Sequence, residues 1–288
     1  MITKGIILAG GHGTRLSPLT KVINKQLLPL YDKPIIFYPL SVLMLAGIKD
    51  VLIITNPHEY KNFKKILGNG SNFGIKIQYI EQKKPNGLPE AFIIGEEFIK
   101  NKSVALILGD NFFYGQDFTK NFSKSLELKE GSTIFTYPVS NPQNYGVVEF
   151  KNKKIKSITE KPKKTNSNLA ITGIYLFDRN VINFSKQLKP SKRKELEIVD
   201  LVKKYLKRKK LKVEFIGRGN AWLDTGSIDS LYKASQFVAS IESRQGLKIA
   251  CLEEIALNNK WISKSTIQKQ IKFYGKCNYS EYLKKILY

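Results

Sequence analysis

Ile6-Ile7-Leu8-Ala9-Gly10-Gly11-His12-Gly13-Thr14-Arg15-Leu16 runs from four apolar residues straight into three glycines within four positions. The apolar run reads as a buried strand and the glycines as the tight turn that ends it. Three further runs of this kind follow at Val51–Thr55, Ile75–Ile80 and Val104–Leu108. Between them, Phe37–Ala46, His58–Leu67 and Glu90–Ile99 place apolar residues at helical spacing. Strands that alternate with helices predict an α/β chain built on a parallel sheet covered on both faces, since parallel neighbours need a crossover between them. Ligands of such sheets sit at the carboxyl ends of the strands. Gly10, Gly11, Gly109 and Asp110 fall at such ends.

From Ser132 the rhythm changes to strand pairs, Thr133–Tyr137, Gly146–Phe150, Ile155–Thr159 and Ala170–Phe177. A helix over Glu197–Leu206, a strand over Lys212–Ile216 and a longer helix over Asp229–Ile241 come next, and the tail from Gln245 reads as helical. The 288 residues are 42% hydrophobic, enough for a sizeable core. The net charge of +24 comes from 48 basic against 24 acidic residues, but only six of the basic residues are arginines. A lysine surplus spread along the chain attracts small anions, whereas readers of nucleic acid favour arginine forks on one element. Only Lys203–Lys212 clusters its charge, and that stretch reads as the solvated face and end of a helix. Nucleic acid is therefore not an expected partner.

Two cysteines and two histidines exclude a disulfide framework and argue against a zinc site. Ile35–Ile48, the longest nearly apolar run, spans 14 residues and contains Pro39 and Ser41, too short to cross a bilayer. With no signal-like start, a soluble cytoplasmic protein without a membrane partner is expected.

Glycines after a strand let backbone N–H groups close on an anion, although a plain tight turn has the same composition. No Gly-Lys-Ser/Thr closes the loop, and Leu16 stands where a dinucleotide fingerprint needs its third glycine. Arg15, Lys21 and Lys25 follow instead, and fixed positive charge beside a glycine cradle suits a triphosphate that loses pyrophosphate. Together with Lys25-Gln26-Leu27-Leu28-Pro29 and Tyr31-Asp32-Lys33-Pro34, the stretch resembles the signature of the sugar-1-phosphate nucleotidyltransferases, in the form that takes dTTP. The resemblance continues through Arg244–Lys248 and Glu253–Ala256.

That resemblance implies a Rossmann-like, mostly parallel mixed sheet with helices on both faces, an inserted sugar-binding β region and a small helical C-terminal subdomain. Residues 1–243 would form the catalytic domain, with a nucleotide half to about 130 and a sugar-phosphate half from about 131. Residues 244–288 would make an oligomer contact or regulatory site. The implied reaction joins dTTP and α-D-glucose 1-phosphate into dTDP-glucose and pyrophosphate, the first step towards dTDP-rhamnose or a related sugar, by magnesium-dependent in-line displacement in a homotetramer.

An aspartate at a strand end is as often a cap as a ligand. Two of them suit magnesium, which takes one or two carboxylates plus phosphate oxygens and water. By resemblance Asp110 and Asp224 hold that metal. Leu8, Gly10, Gly11, Gly13, Thr14, Arg15, Gln26, Gln82, Pro85 and Gly87 would bind the nucleotide along with Asp110. The sugar phosphate would meet Tyr145, Gly146, Glu160, Lys161, Ile171, Thr172, Tyr175, Arg193 and Trp222. Arg15, Lys25 and Lys161 would act in catalysis beside the two aspartates.

The chain departs from the family pattern at His12, at Pro89-Glu90 and at Lys194, where a glycine is usual. Segments resembling the family's second nucleotide site, Tyr114-Gly115 and Ile249–Ile255, are accompanied by unusual residues at Thr119, Lys120 and Asn258. Two alternatives stay open on the sequence: the same chemistry with UTP or another sugar 1-phosphate, and a non-catalytic sugar-nucleotide sensor.

Overall fold

The computed structural model describes residues 1–288. Its strands are β1 (Lys4–Ala9), β2 (Pro29–Leu30), β3 (Lys33–Pro34), β4 (Asp50–Thr55), β5 (Lys76–Glu81), β6 (Val104–Leu108), β7 (Asn111–Tyr114), β8 (Ser132–Pro138), β9 (Gly146–Lys151), β10 (Lys154–Glu160), β11 (Leu169–Phe177), β12 (Leu211–Phe215) and β13 (Ala221–Asp224). The central sheet runs β10-β9-β11-β6-β1-β4-β5, with β8 and β12 joined to it through β11. From β5 to β6 it is parallel, as are β8 and β12, while β11 runs antiparallel to each of its partners.

The period of two along the strands sorts the core into two layers. Ile7, Ile53 and Ile107 face one side, with the helices Phe37–Leu45, Tyr60–Leu67 and Gln116–Ser125. Ile6, Leu52, Ile54 and Leu106 face the other, with the helices Glu90–Ile94, Glu96–Ile99 and Ile198–Lys207. The helix Phe37–Leu45 is apolar on nearly every side and almost wholly buried, because helix Leu252–Asn258 covers its outer surface with Leu252, Ile255 and Ala256. The tail therefore contributes to the main core. Cys251, Ile267, Tyr279, Tyr282 and Leu283 form a smaller core of their own.

The single helix expected over Glu90–Ile99 is two, broken at Gly95. A Cβ there would lie 2.7 Å from the Ala91 carbonyl and 3.2 Å from Leu52 Cδ2, so a larger residue would crowd the turn before it and the sheet beneath it. The short pair β7 and β13, which the sequence did not disclose, forms a separate antiparallel ladder with Asp224 opposite Asn111.

β11 creates the opening that the site occupies. One edge pairs with β8, although the ladder slips between Ile171, opposite Thr136, and Tyr175, opposite Ile134. The other edge is shared. Ala170 pairs with β9, and β6 joins only from Ile174 onward, so Ile171, Thr172 and Gly173 have no strand beside them there. The sheet forks at this point.

Candidate active site

The fork holds a cavity of about 380 Å³. Eleven of the expected residues line it: Arg15, Asp110, Tyr145, Gly146, Glu160, Lys161, Ile171, Thr172, Tyr175, Trp222 and Asp224. They come from stretches of chain far apart in sequence, brought together by three local devices.

The first device is the glycine turn. Gly13 is left-handed, at φ +60°, and precedes a short 3-10 turn, Thr14–Leu16. A Cβ on Gly13 would lie 2.8 Å from Thr20 Cγ2 and 3.1 Å from Lys25 Cβ, so only glycine lets the loop fold onto the segment behind it. No backbone N–H from Gly10 to Arg15 donates to an acceptor within the protein. A run of free N–H groups in the same loop as the Arg15 guanidinium is able to receive an anion. Gly11 has open space around it.

The second device holds Asp110. Lys25 is buried and its ammonium pairs with Asp110 Oδ2. Asn24 sets that lysine in place: its Oδ1 accepts from Gln26 N at 2.9 Å, and its Nδ2 donates to the Ala9 carbonyl at 3.2 Å. Asn111 donates to Asp110 Oδ1 at 2.9 Å, while its own Oδ1 accepts from Trp222 Nε1 at 2.6 Å and Gly173 N at 3.1 Å. Burial alone would push the Asp110 carboxyl up, yet the Lys25 charge and the bonds from Lys25 and Asn111 hold it below the usual carboxylate range. It stays ionised. Across the β7–β13 ladder, Thr225 N and Oγ1 both donate to the Asp110 carbonyl, at 3.1 and 2.9 Å, which fixes Asp224 next to it in the cavity wall. A Cβ on Gly226 would lie 3.0 Å from Arg15 Nη2 and 3.3 Å from Asp224 Oδ2, so the guanidinium and the second carboxylate flank one glycine.

The third device is the β9–β10 hairpin. Lys161, just past β10, adopts φ +42°, a strained value for lysine, and its N donates to the Tyr145 carbonyl at 3.0 Å. Burial pushes the Glu160 carboxyl up, with Lys161 opposing and Glu197 reinforcing the shift. Tyr145 packs edge-on to Trp222, ring centroids 5.2 Å apart. Burial first and Asp224 second push its phenol up to about 12.

Arg193 stands at the rim. Its Nε and Nη2 engage both oxygens of Glu197 at 3.1 and 2.7 Å, and Nη2 also reaches Glu160 Oε1 at 3.2 Å. Lys194 beside it takes φ +61°, so a lysine occupies a glycine conformation. Leu8, Gly10, Gly11, Gly13, Thr14, Lys25, Gln26, Gln82, Pro85, Gly87 and Arg193 are not part of the cavity wall. Gln26 is buried with its Oε1 unpartnered. Gln82 Oε1 stands 2.7 Å from where a Cβ of Gly10 would be. Gly87, at φ +106°, lies against the Leu196 backbone and bridges to it. The residues missed from sequence are Asn24, Asn111, Glu90 and Glu197. Each acts by orienting a charged or amide neighbour.

A divided cleft at the carboxyl ends of parallel strands, with an anion loop on one side and basic groups on the other, defines a protein that handles phosphorylated ligands. A model of the nucleotidyl transferase family matches residues 4–241, and the chain belongs to that family. It is 53% identical over 285 residues to the glucose-1-phosphate thymidylyltransferase of Neisseria meningitidis, covering 99% of each chain. Among solved structures, a Bacillus anthracis chain assigned as a glucose-1-phosphate thymidylyltransferase, in complex with a sucrose, superposes with a TM-score of 0.76 at 40% identity. That match covers 81% of this chain and 94% of the other. A UDP-glucose pyrophosphorylase complexed with UDP-glucose gives a TM-score of 0.73 at 28% identity, covering 84% and 100%.

Proposed function

We propose that this chain transfers the thymidylyl group of dTTP to α-D-glucose 1-phosphate, giving dTDP-glucose and pyrophosphate. The observation that carries the reading is the β7–β13 ladder, which sets Asp110 and Asp224 in one cavity between the Arg15 loop and the Glu160–Lys161 turn. The near-full-length likeness to thymidylyltransferases supports the choice of nucleotide and sugar. UTP differs from dTTP at the base by one methyl, which an apolar pocket discriminates by about 1–3 kcal/mol.

In this reading the free N–H groups from Gly10 to Arg15 and the Arg15 guanidinium receive the β and γ phosphates. Lys25, held against Asp110, faces the α-phosphate. Glu160 accepts from a sugar hydroxyl, and Lys161 with Arg193 holds the 1-phosphate. An oxygen of that phosphate attacks the α-phosphorus, the bond to the β-phosphate oxygen breaks in line, and pyrophosphate leaves with the electron pair. The nucleophile is already ionised at neutral pH, so no general base is needed and catalysis is positioning plus charge stabilisation.

The cavity wall carries three carboxylates, Asp110, Glu160 and Asp224, and neither histidine nor cysteine, a donor set for a hard cation such as magnesium. Asp110 and Asp224 would hold it, and when bound it supplies charge neutralisation of the phosphate oxygens. Asp110 keeps acceptor capacity beyond its bonds to Lys25 and Asn111, since each carboxylate oxygen accepts more than one bond.

The family match ends at residue 241, which supports a catalytic domain over 1–243 and a separate role for 244–288. No helix is long and apolar enough to cross a membrane. A homotetramer in the cytoplasm completes the proposal. The test is turnover of Arg15→Ala and Asp110→Asn, each expected to lose about a hundredfold in kcat, near 2.7 kcal/mol. Near-normal turnover in either would overturn the assignment of that residue.

A further inference from the structure

We propose that Glu90 sets the enzyme's choice of base by locking the side-chain amide of Gln82. The inference rests on the resemblance, which puts Gln82 among the nucleotide-binding residues, and takes its amide as the group that meets the base. Glu90 opens the helix Glu90–Ile94, and its carboxylate gathers three N–H donors. Gln82 Nε2 and Asn86 N donate to Oε2, the latter at 3.3 Å, and Asn86 Nδ2 donates to Oε1 at 2.7 Å. An ionised carboxylate only accepts hydrogen bonds. Gln82 must therefore turn its NH2 towards Glu90, and its carbonyl oxygen is left facing the other way.

That oxygen faces the glycine turn, 2.7 Å from the position a Cβ of Gly10 would take, and no group of the protein donates to it. The rest of Gln82 is buried, so the side chain cannot swing clear. A buried glutamine free at both ends could flip and offer either an oxygen or an NH2 to a ligand. Here the flip would set two acceptors against each other, Gln82 Oε1 and Glu90 Oε2, at a cost comparable to leaving a buried polar group unpaired.

The site consequently offers a fixed acceptor to the base. Thymine and uracil present a ring N3–H, a donor that matches it. Cytosine, of the same ring size, presents a bare N3 whose lone pair would meet the Gln82 oxygen. Glu90 is thus a positioning residue whose negative charge, two steps removed from the ligand, excludes cytosine without touching it. Replacing it by glutamine keeps the shape and removes the compulsion, because a glutamine at 90 can offer its own oxygen or its own NH2.

The experiment compares kcat/KM for dTTP with that for dCTP, at fixed glucose 1-phosphate and magnesium, in the wild-type chain and in Glu90→Gln, Glu90→Ala and Gln82→Ala. Both Glu90 variants are expected to lower the dTTP-to-dCTP ratio by about tenfold or more, chiefly through a gain with dCTP. The KM for glucose 1-phosphate, which a general structural defect would disturb, is expected to hold. A ratio unchanged in both Glu90 variants while Gln82→Ala collapses it would overturn the role of Glu90 and leave Gln82 at the base. A ratio unchanged in Gln82→Ala as well would remove Gln82 from the base site altogether.

Discussion

Replacing Asn111 by aspartate turns one NH2 into an oxygen and leaves the shape of the side chain intact, so no cavity opens. The oxygen that accepts from Trp222 Nε1 and Gly173 N is retained. What changes is the contact with Asp110 Oδ1, now 2.9 Å from a donor and then from a second carboxylate oxygen. Two charges at that separation repel by about 6 kcal/mol at an effective dielectric of 20. Taking up a proton costs less. Near an ordinary carboxyl pKa of about 4, holding one proton at pH 7 costs about 4 kcal/mol and at pH 5 about 1.4 kcal/mol. Lys25 keeps Asp110 ionised, so the proton resides on the new aspartate. The folded variant then binds one proton that the unfolded chain has released, so its stability falls as pH rises, by about 1.4 kcal/mol per unit. Urea unfolding of wild type and Asn111→Asp at pH 5, 6 and 7, followed by tryptophan fluorescence, measures the gap directly. The expected gap widens from about 1.4 kcal/mol at pH 5 to about 4 kcal/mol at pH 7. A gap under about 1 kcal/mol at pH 7, or one that does not change with pH, would refute the reasoning.

Other consequences follow from strain and burial. Lys194→Gly relieves a lysine held at φ +61° and is expected to raise stability by about 0.5–1 kcal/mol after the entropy of the added glycine is subtracted, measurable as a higher urea midpoint. Glu253 is wholly buried and accepts from Tyr274 and Tyr279 hydroxyls at 2.8 and 2.6 Å, yet burial outweighs these bonds and raises its pKa. Below the ordinary glutamate range both states hold the proton. Above it the unfolded chain loses its proton first, so this group's contribution to stability declines with rising pH until the folded carboxyl also ionises. Glu253→Gln is expected to flatten that decline in a pH series of thermal unfolding, and an unaltered slope would contradict it.

What could be read from sequence and what could not divides along distance in the chain. β1, β4 and β6 are runs whose apolar character announces them, and the turn after β1 carries its own glycines. The eleven cavity residues named in advance came from motifs, each a few residues long. Asn111 was visible as the neighbour of Asp110 but not as an organiser, because its partners Gly173 and Trp222 lie 62 and 111 residues away. β7 and β13 are four residues each, too short to show alternation, and exist because they pair with one another. In the sequence Glu90 and Glu197 stand only as the first residues of helical segments. Only the fold shows that one collects Gln82 and Asn86 and the other holds Arg193.

Thymidylyl transfer to glucose 1-phosphate is read out by pyrophosphate release. The purified chain is given glucose 1-phosphate and magnesium with dTTP, UTP, ATP, CTP or GTP in parallel reactions. Fast release is expected with dTTP, slower release with UTP and little with the others, with dTDP-glucose as the nucleotide product of the first. Release confined to a nucleotide other than dTTP and UTP, or no release with any of the five, would contradict it.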